Sequence, residues 1–104
     1  MNPKKVLVTG SSGYLGSQTV AGLAARADLA VIALDVREPA TRLPGVTYEI
    51  ADIRAPEVDA VVGRHRPDVV VHLASIVTPG KNSNRAFEYD VDVNGTRNLL
   101  QACV

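Results

Sequence analysis

The chain has 104 residues, 46% of them hydrophobic and 21% charged, with a mean hydropathy of +0.08. This is the profile of one soluble globular domain, or part of one, and it argues against a disordered chain. Eleven basic and eleven acidic residues cancel, and aromatics are only 4%, so neither charge nor stacking surface points to nucleic acid or an anionic membrane as partner.

The single Cys103 has no second thiol for a disulfide or a zinc cluster, and a cytoplasmic location is the simplest expectation. Two lysines precede the first apolar run, but Gly10 ends it too soon for a signal-peptide core. No stretch approaches the roughly 18 apolar residues that would span a bilayer.

Short β-branched runs alternate with helical patterns. Lys4 to Thr9 reads as a strand, followed by a glycine loop and a helix from Tyr14 to Arg26 with Leu15, Thr19, Gly22 and Leu23 on its inner face. Leu29 to Asp35 is a second strand, apolar along its length and expected to be buried on both sides. Val36 to Gly45 is a connecting loop, and Val46 to Ile50 a short third strand. Pro56 to His65 is a helix with Pro56 in its first turn and Val58, Val61 and Val62 inward. Asp68 to Leu73 is the fourth strand, Ser75 to Ser83 a polar loop, and Arg85 to Val104 a last helix patterned through Val91, Gly95, Leu99 and Cys103. The alternation predicts an α/β fold: a three-layer, Rossmann-like half with a parallel sheet in the order 3-2-1-4 and helices on both faces, stopping before a fifth strand.

The segment Val8 to Ser17 reads VTGSSGYLGS, with glycines at 10, 13 and 16 between a strand and a helix. In that context each glycine has a role: Gly10 for a sharp turn off the strand, Gly13 for close approach of a pyrophosphate, and Gly16 for close packing of helix on sheet. The helix start offers free N–H groups and partial positive charge to phosphates, and Ser11 and Ser12 offer hydroxyls. The alternative is a flexible turn whose glycines serve the backbone alone. No Gly-Lys-Ser/Thr follows, which disfavours a mononucleotide P-loop.

Asp35 lies 19 positions after Gly16, near the spacing of about 20 expected for the carboxylate that binds an adenosine ribose. Its charge would repel a 2′-phosphate, favouring NAD over NADP. Arg37 suits a phosphate, and otherwise extends into solvent or pairs with Glu38. The plainer alternative for Asp35 is a loop-capping aspartate.

These residues resemble the extended short-chain dehydrogenase/reductase family, the NAD-dependent epimerase/dehydratase group. Thr9 to Gly16 has that group's T-G-x-x-G-x-x-G spacing. Asp35 resembles its ribose acid, Asp52-Ile53 the pair beside the adenine ring, and Val70 to Ser75 (VVHLAS) the fourth-strand motif that ends by the cofactor riboses. Asp92 to Cys103 is similar to its N-V-x-G-T-x-N-L-L helix. The resemblance covers essentially the whole chain. It implies cofactor contacts at Gly10, Ser12, Gly13, Tyr14, Leu15 and Gly16, at Asp35 and Arg37, at Asp52 and Ile53, and at Leu73, Ala74 and Ser75.

Two departures stand out. Asp92 occupies the position where the family usually has Asn, a residue that helps to order a water path near the catalytic lysine. The family's Tyr-x-x-x-Lys pair is also missing: four positions after Tyr14, Tyr48 and Tyr89 stand Gln18, Asp52 and Val93. The resemblance therefore implies the N-terminal part of a dinucleotide-binding domain, residues 1–104, without catalytic residues or a substrate-binding part. The parent would be an NAD-dependent epimerase, dehydratase or dehydrogenase acting on a hydroxylated, sugar-like substrate such as a nucleotide sugar. The competing reading is a binding module that senses NAD(P) without catalysis. An unpaired fourth strand and a last helix ending mid-pattern predict a marginally stable chain that self-associates.

Other residues carry weaker signals. His72 reads as a packed strand residue and His65 as a solvated residue at a helix C-terminus. Neither has ligands at metal spacing, so no metal site is expected. Cys103 reads as a small buried hydrophobe in the parent. Lys81, Asn82 and Asn84 are either substrate contacts or a solvated loop, and Ser75 lies either near the nicotinamide or at a strand-end cap.

Overall fold

The computed structural model describes residues 3–74 and 90–103. Its sheet is parallel, with four strands in the order β3-β2-β1-β4, as the alternation of the sequence predicts. The strands are β1 (Lys4–Thr9), β2 (Leu29–Asp35), β3 (Thr47–Ile50) and β4 (Val69–His72). The helices are α1 (Tyr14–Ala24), α2 (Glu57–His65) and, after a π-helical turn over Asp90–Gly95, α3 (Thr96–Ala102). The expected loop of Ser75 to Ser83, with Lys81, Asn82 and Asn84, and the start of the last predicted helix lie outside the described residues.

The alternation of side chains along each strand divides the core in two. Val6, Val8, Val31 and Ala33 face α1 and meet Val20. Leu7, Ile32 and Leu34 face the other way and join Ile53, Val58, Val61, Val62 and Leu99. The register carries this division across the sheet: Leu7 pairs with Ile32 and Val70, and Val8 with Ala33 and Val71. β2 is covered on both faces, as its continuous apolar run requires.

The inner face of α1 differs from the expected one. Leu15 is 62% exposed and Gly22 is exposed, while Gly16 and Val20 are buried and Leu23 packs inward. Gly16 seats against the corner after β1, and that contact sets the helix rotation. Residues 16, 20 and 23 then face the sheet. α1 also stops at Ala24, two residues short of Arg26, whose guanidinium binds Asp28 in the following turn.

α2 buries Val58, Val61 and Val62 as predicted, with acids in its first turn and Arg64 and His65 in its last, each end complementing the helix dipole. It ends at Arg66, which takes a left-handed φ of 49°. Pro67 disfavours a right-handed helical conformation in the residue before it. In the last helix Gly95 and Leu99 are buried and Ala102 packs on the core, but Cys103 is exposed. The inward positions run 95, 99 and 102, so in this chain the helix face patterned through Cys103 is continued by Ala102 instead.

Candidate functional site

In a parallel sheet the C-terminal strand ends gather on one side, where loops assemble a crevice. Here they bring together the glycine corner after β1, the Asp35 turn after β2, the Asp52 loop after β3 and the Leu73–Ala74 end of β4.

Gly10 has φ +70°, and a Cβ there would sit 2.8 Å from Ala74 N and from the Leu73 carbonyl carbon. It thus needs to be glycine both for its conformation and for the close approach of β4. The turn is held by Ser11 N–H donating to Leu34 O and by Gly13 N–H donating to Gly10 O, each at 3.2 Å. A Cβ on Gly16 would lie 1.9 Å from Gly10 O. Gly16 therefore packs on the corner itself rather than on the body of the sheet. Gly13 differs from both: its φ is −77°, and a Cβ would meet only Gly10 O, at an ordinary 3.5 Å. The chain's own packing demands glycine at 10 and 16 but not at 13.

Gly13 is the N-cap of α1, with no side-chain cap and no acid in the first turn. The first intrahelical bond runs from Ser17 N–H to Gly13 O, so the N–H groups of Tyr14, Leu15 and Gly16 have no acceptor within the helix. They end beside the corner with the positive end of the helix dipole. The side chains of Tyr14 and Leu15 are exposed.

Asp35 joins this corner to β2. Its Oδ2 accepts from Ser12 N–H at 2.8 Å and its Oδ1 from Arg37 N–H at 3.0 Å. The capping role is thus real, and each carboxylate oxygen keeps further accepting capacity. Ser12 Oγ donates to Arg37 O at 2.9 Å, so its hydroxyl proton is turned toward the chain instead of toward an incoming phosphate. Arg37 is exposed, and Glu38 pairs with Arg42 rather than with Arg37.

The loop after β3 continues the site, since Ala51 N–H donates to Asp35 O at 2.9 Å. Arg54 binds Asp52 through Nε and Nη2, the latter at 2.7 Å, and its backbone N–H adds a bond to Oδ1. These hydrogen bonds hold the Asp52 carboxyl below the ordinary carboxylate range. Ile53, by contrast, sends its side chain into the core at 6% exposure.

A hydrogen-bond chain that the sequence does not advertise braces the β4 end. Thr9 Oγ1, fully buried, accepts from Leu73 N–H at 3.0 Å and Ala74 N–H at 3.2 Å, and so donates its own proton to His72 Nδ1 at 2.7 Å. That bond places the imidazole proton on Nε2, which donates to Thr96 Oγ1 at 2.7 Å, and Thr96 donates on to Asp92 O. Burial lowers the His72 pKa from its ordinary value, with the Asp92 charge opposing. The only signal in the sequence is a threonine closing an otherwise apolar strand run.

His65 is not solvated as expected. Nε2 contacts Glu49 Oε2 at 2.6 Å, and the ring is 20% exposed. That contact, with a second from Arg64, holds the Glu49 carboxyl below its usual range. Ser75, named with Leu73 and Ala74 as a cofactor contact, lies outside the described residues.

Residues 6–104 match the model of the NAD dependent epimerase/dehydratase family. The chain belongs to that family. Short-chain dehydrogenase/reductase family 42E member 1 of Danio rerio is 38% identical over 94% of this chain and 25% of its own length. UDP-glucose 4-epimerase of Rhizobium meliloti is 33% identical over 100% of the chain and 33% of its own. Among solved structures, MoeE5 in complex with UDP-glucose and NAD superposes with a TM-score of 0.79 at 28% identity, over 96% of this chain and 32% of that one. The epimerase/dehydratase chain thus spans a quarter to a third of the relatives it resembles. No helix among its described residues is long and apolar enough to cross a membrane.

Proposed function

We propose that residues 1–104 are the N-terminal part of a dinucleotide-binding domain and supply the adenosine-diphosphate half of an NAD site. The whole protein would be an epimerase, dehydratase or dehydrogenase acting on a nucleotide sugar. The observation that carries this reading is the contrast among the three glycines. Two are required by the chain's own contacts, and the third leaves room beside the unbonded N–H groups of α1. A diphosphate seated there meets amide donors and the positive helix end, with no acid in the first turn to repel it. Asp35 keeps lone pairs for a ribose diol, and Leu73 and Ala74 close the floor of the crevice beneath Gly10. When bound, NAD supplies hydride acceptance and return. The segment has no Tyr-x-x-x-Lys pair and is expected to show no turnover by itself.

Calorimetric titration of the chain is expected to show weak NAD binding and weaker NADP binding, because the Asp35 carboxylate repels a 2′-phosphate. Asp35→Ala should weaken NAD and narrow the gap between the two. Tighter binding of NADP by the unaltered chain would overturn the cofactor choice, and no binding of either would overturn the site.

The edge of β4 bears on assembly. Among the described residues it pairs only with β1, and Val69 is 47% exposed there. An apolar edge of this kind invites pairing with a second copy. Light scattering on the chain should therefore report species larger than a monomer that grow with concentration. A monomer of constant mass up to millimolar concentration would refute this.

A further inference from the structure

The β4 end of the crevice depends on one hydroxyl. Thr9 Oγ1 has two lone pairs and one proton, and all three are committed: Leu73 N–H and Ala74 N–H donate to it, and it donates to His72 Nδ1. Protonation of Nδ1 turns that acceptor into a third donor. Three donors then compete for two lone pairs, and the hydroxyl's own proton faces no acceptor among them, so one bond is given up. The ring is held on both sides. Thr9 and His72 are register partners in the sheet. Nε2 meets Thr96 on a helical segment tied down by Leu99 in the core and by Asn98 Nδ2, which donates to Ile53 O at 2.6 Å and to Ala55 O at 2.9 Å. Leu73 N–H has a second acceptor in Thr9 O at 3.3 Å. Ala74 lies past the last residue of β4, and its N–H makes the longest bond to the hydroxyl, 3.2 Å, so it is the one released. Ala74 N is also the atom 2.8 Å from where a Cβ on Gly10 would stand, at the corner that presents the α1 N–H groups.

We propose that His72 is a proton-operated latch on the dinucleotide site: its neutral ring keeps Thr9 turned to receive the Ala74 N–H, and a proton on Nδ1 frees the crevice floor at Ala74 and weakens the diphosphate seat above it. This rests on the NAD reading given above, and the experiment separates the two. The half-buried ring lies on the sheet face covered by α2 and the last helical segment, and the charged groups of the neighbouring elements are mostly engaged or exposed. On α2, Glu57 and Asp59 are exposed, and Arg64 and His65 bind Glu49. Asp52 and Asp90 bind Arg54, and Arg97 is exposed. On β1, Lys4 is exposed and Lys5 Nζ donates to His65 O. Asp92 is the charge that acts on the ring, and it favours the protonated form against burial. An acid at position 92, where the family usually has Asn, thus moves the latch toward neutral pH.

Imidazole and amide NMR of the chain between pH 7.5 and 4.5 read the latch directly. The protection factor of the Ala74 amide against hydrogen exchange should fall about fivefold as the ring protonates, the worth of one neutral hydrogen bond, while that of Leu73 changes little. By linkage, saturating NAD should shift the ring's midpoint to lower pH, and NAD affinity should fall by a similar factor between pH 7.5 and 5. His72→Asn offers Thr9 an amide oxygen in place of Nδ1 and does not titrate. Both pH effects should vanish in it, although Asp35 and the other carboxylates remain. Asp92→Asn should move the ring and Ala74 midpoints downward together, and serves if the His72 variant does not fold. Ala74 protection that stays constant through the ring's titration overturns the proposal. An NAD affinity equal at the two pH values, or one whose pH dependence persists in His72→Asn, refutes it while leaving the NAD site standing. A chain that binds no NAD at any pH removes the site, and the Ala74 measurement then judges the latch by itself.

Discussion

Gly16→Ala is expected to lower the unfolding midpoint by more than about 10 °C, whereas Gly13→Ala should move it by less than about 5 °C. The first substitution places a methyl carbon 1.9 Å from the Gly10 carbonyl oxygen, with Gly10 C at 2.7 Å and Ser11 Cα at 3.0 Å. All three are backbone atoms of a corner whose position is fixed by Ser11 bonding to Leu34 and by the approach of Leu73 and Ala74 to Gly10. None can swing aside as a side chain would. Either α1 lifts from the corner, exposing Val20, or the corner opens, and overpacking of this kind typically costs about 1–3 kcal/mol or more. At position 13 the backbone (φ −77°, ψ 174°) suits any residue, and the contact is ordinary. Alanine is only a poorer N-cap than glycine, a loss of under about 1 kcal/mol. Binding should follow a different order. Gly13→Ala should weaken NAD at least tenfold in a chain that still melts normally, because its methyl group enters the space given to the diphosphate. Circular dichroism melts and calorimetric titration of both variants provide the test. A Gly13→Ala chain that binds NAD as the parent does would remove the main support for the site.

Thr9→Val should also be strongly destabilising, at about 2–4 kcal/mol, although it preserves shape almost perfectly. The lost hydroxyl serves three partners at once: it accepts from Leu73 and Ala74 and donates to His72. Valine leaves His72 Nδ1 and Ala74 N–H without that partner next to a fully buried position, and orphaned buried groups cost about 1–3 kcal/mol each. Leu73 N–H keeps a longer bond to Thr9 O, which limits the loss. Urea denaturation measures the difference, and a change below about 1 kcal/mol would show that the hydroxyl does not organise the β4 end.

The same chain of bonds predicts a pH dependence. Burial depresses the His72 pKa below its ordinary 6.5 in the folded state, so folding favours the neutral ring, the form that accepts from Thr9. This contribution is complete above the unfolded value and is lost as the pH falls below about 6.5 through the lower folded value. Acidification from pH 7.5 to 5.5 should therefore destabilise the chain, and His72→Gln should remove that part of the slope. The carboxylates of Glu49, Asp52 and Asp90, all shifted downward by their hydrogen-bonding partners, act only in the more acidic range. A slope unchanged by His72→Gln would refute the assignment.

The amino-acid sequence alone determined the alternation of elements, the strand order and the place of the glycine corner. Those features rest on local causes: β-branched runs, a change of hydrophobic period, and the spacing of residues without side chains between a strand and a helix. Even the place of Asp35 at the end of β2, beside the glycine corner, was readable, because parallel strands of similar length put the end of the second strand at a nearly constant distance from the glycines. Tertiary structure decided everything that depends on how one element rotates or packs against another. The contact of Gly16 with the corner turned Leu15 outward and Val20 inward, although Leu15 fits an apolar helix face equally well on paper. Closure of the loop over the core sent Ile53 into the interior and left Asp52 half-buried, bonded to Arg54. His65 met Glu49 across 16 positions, Thr9 met His72 across 63, and Asn98 met Ile53 across 45. Such partners are remote along the chain, and a polar side chain looks the same in sequence whether it ends in water or on a buried carbonyl. Only the packed sheet and helices bring the two ends of each bond within 3 Å.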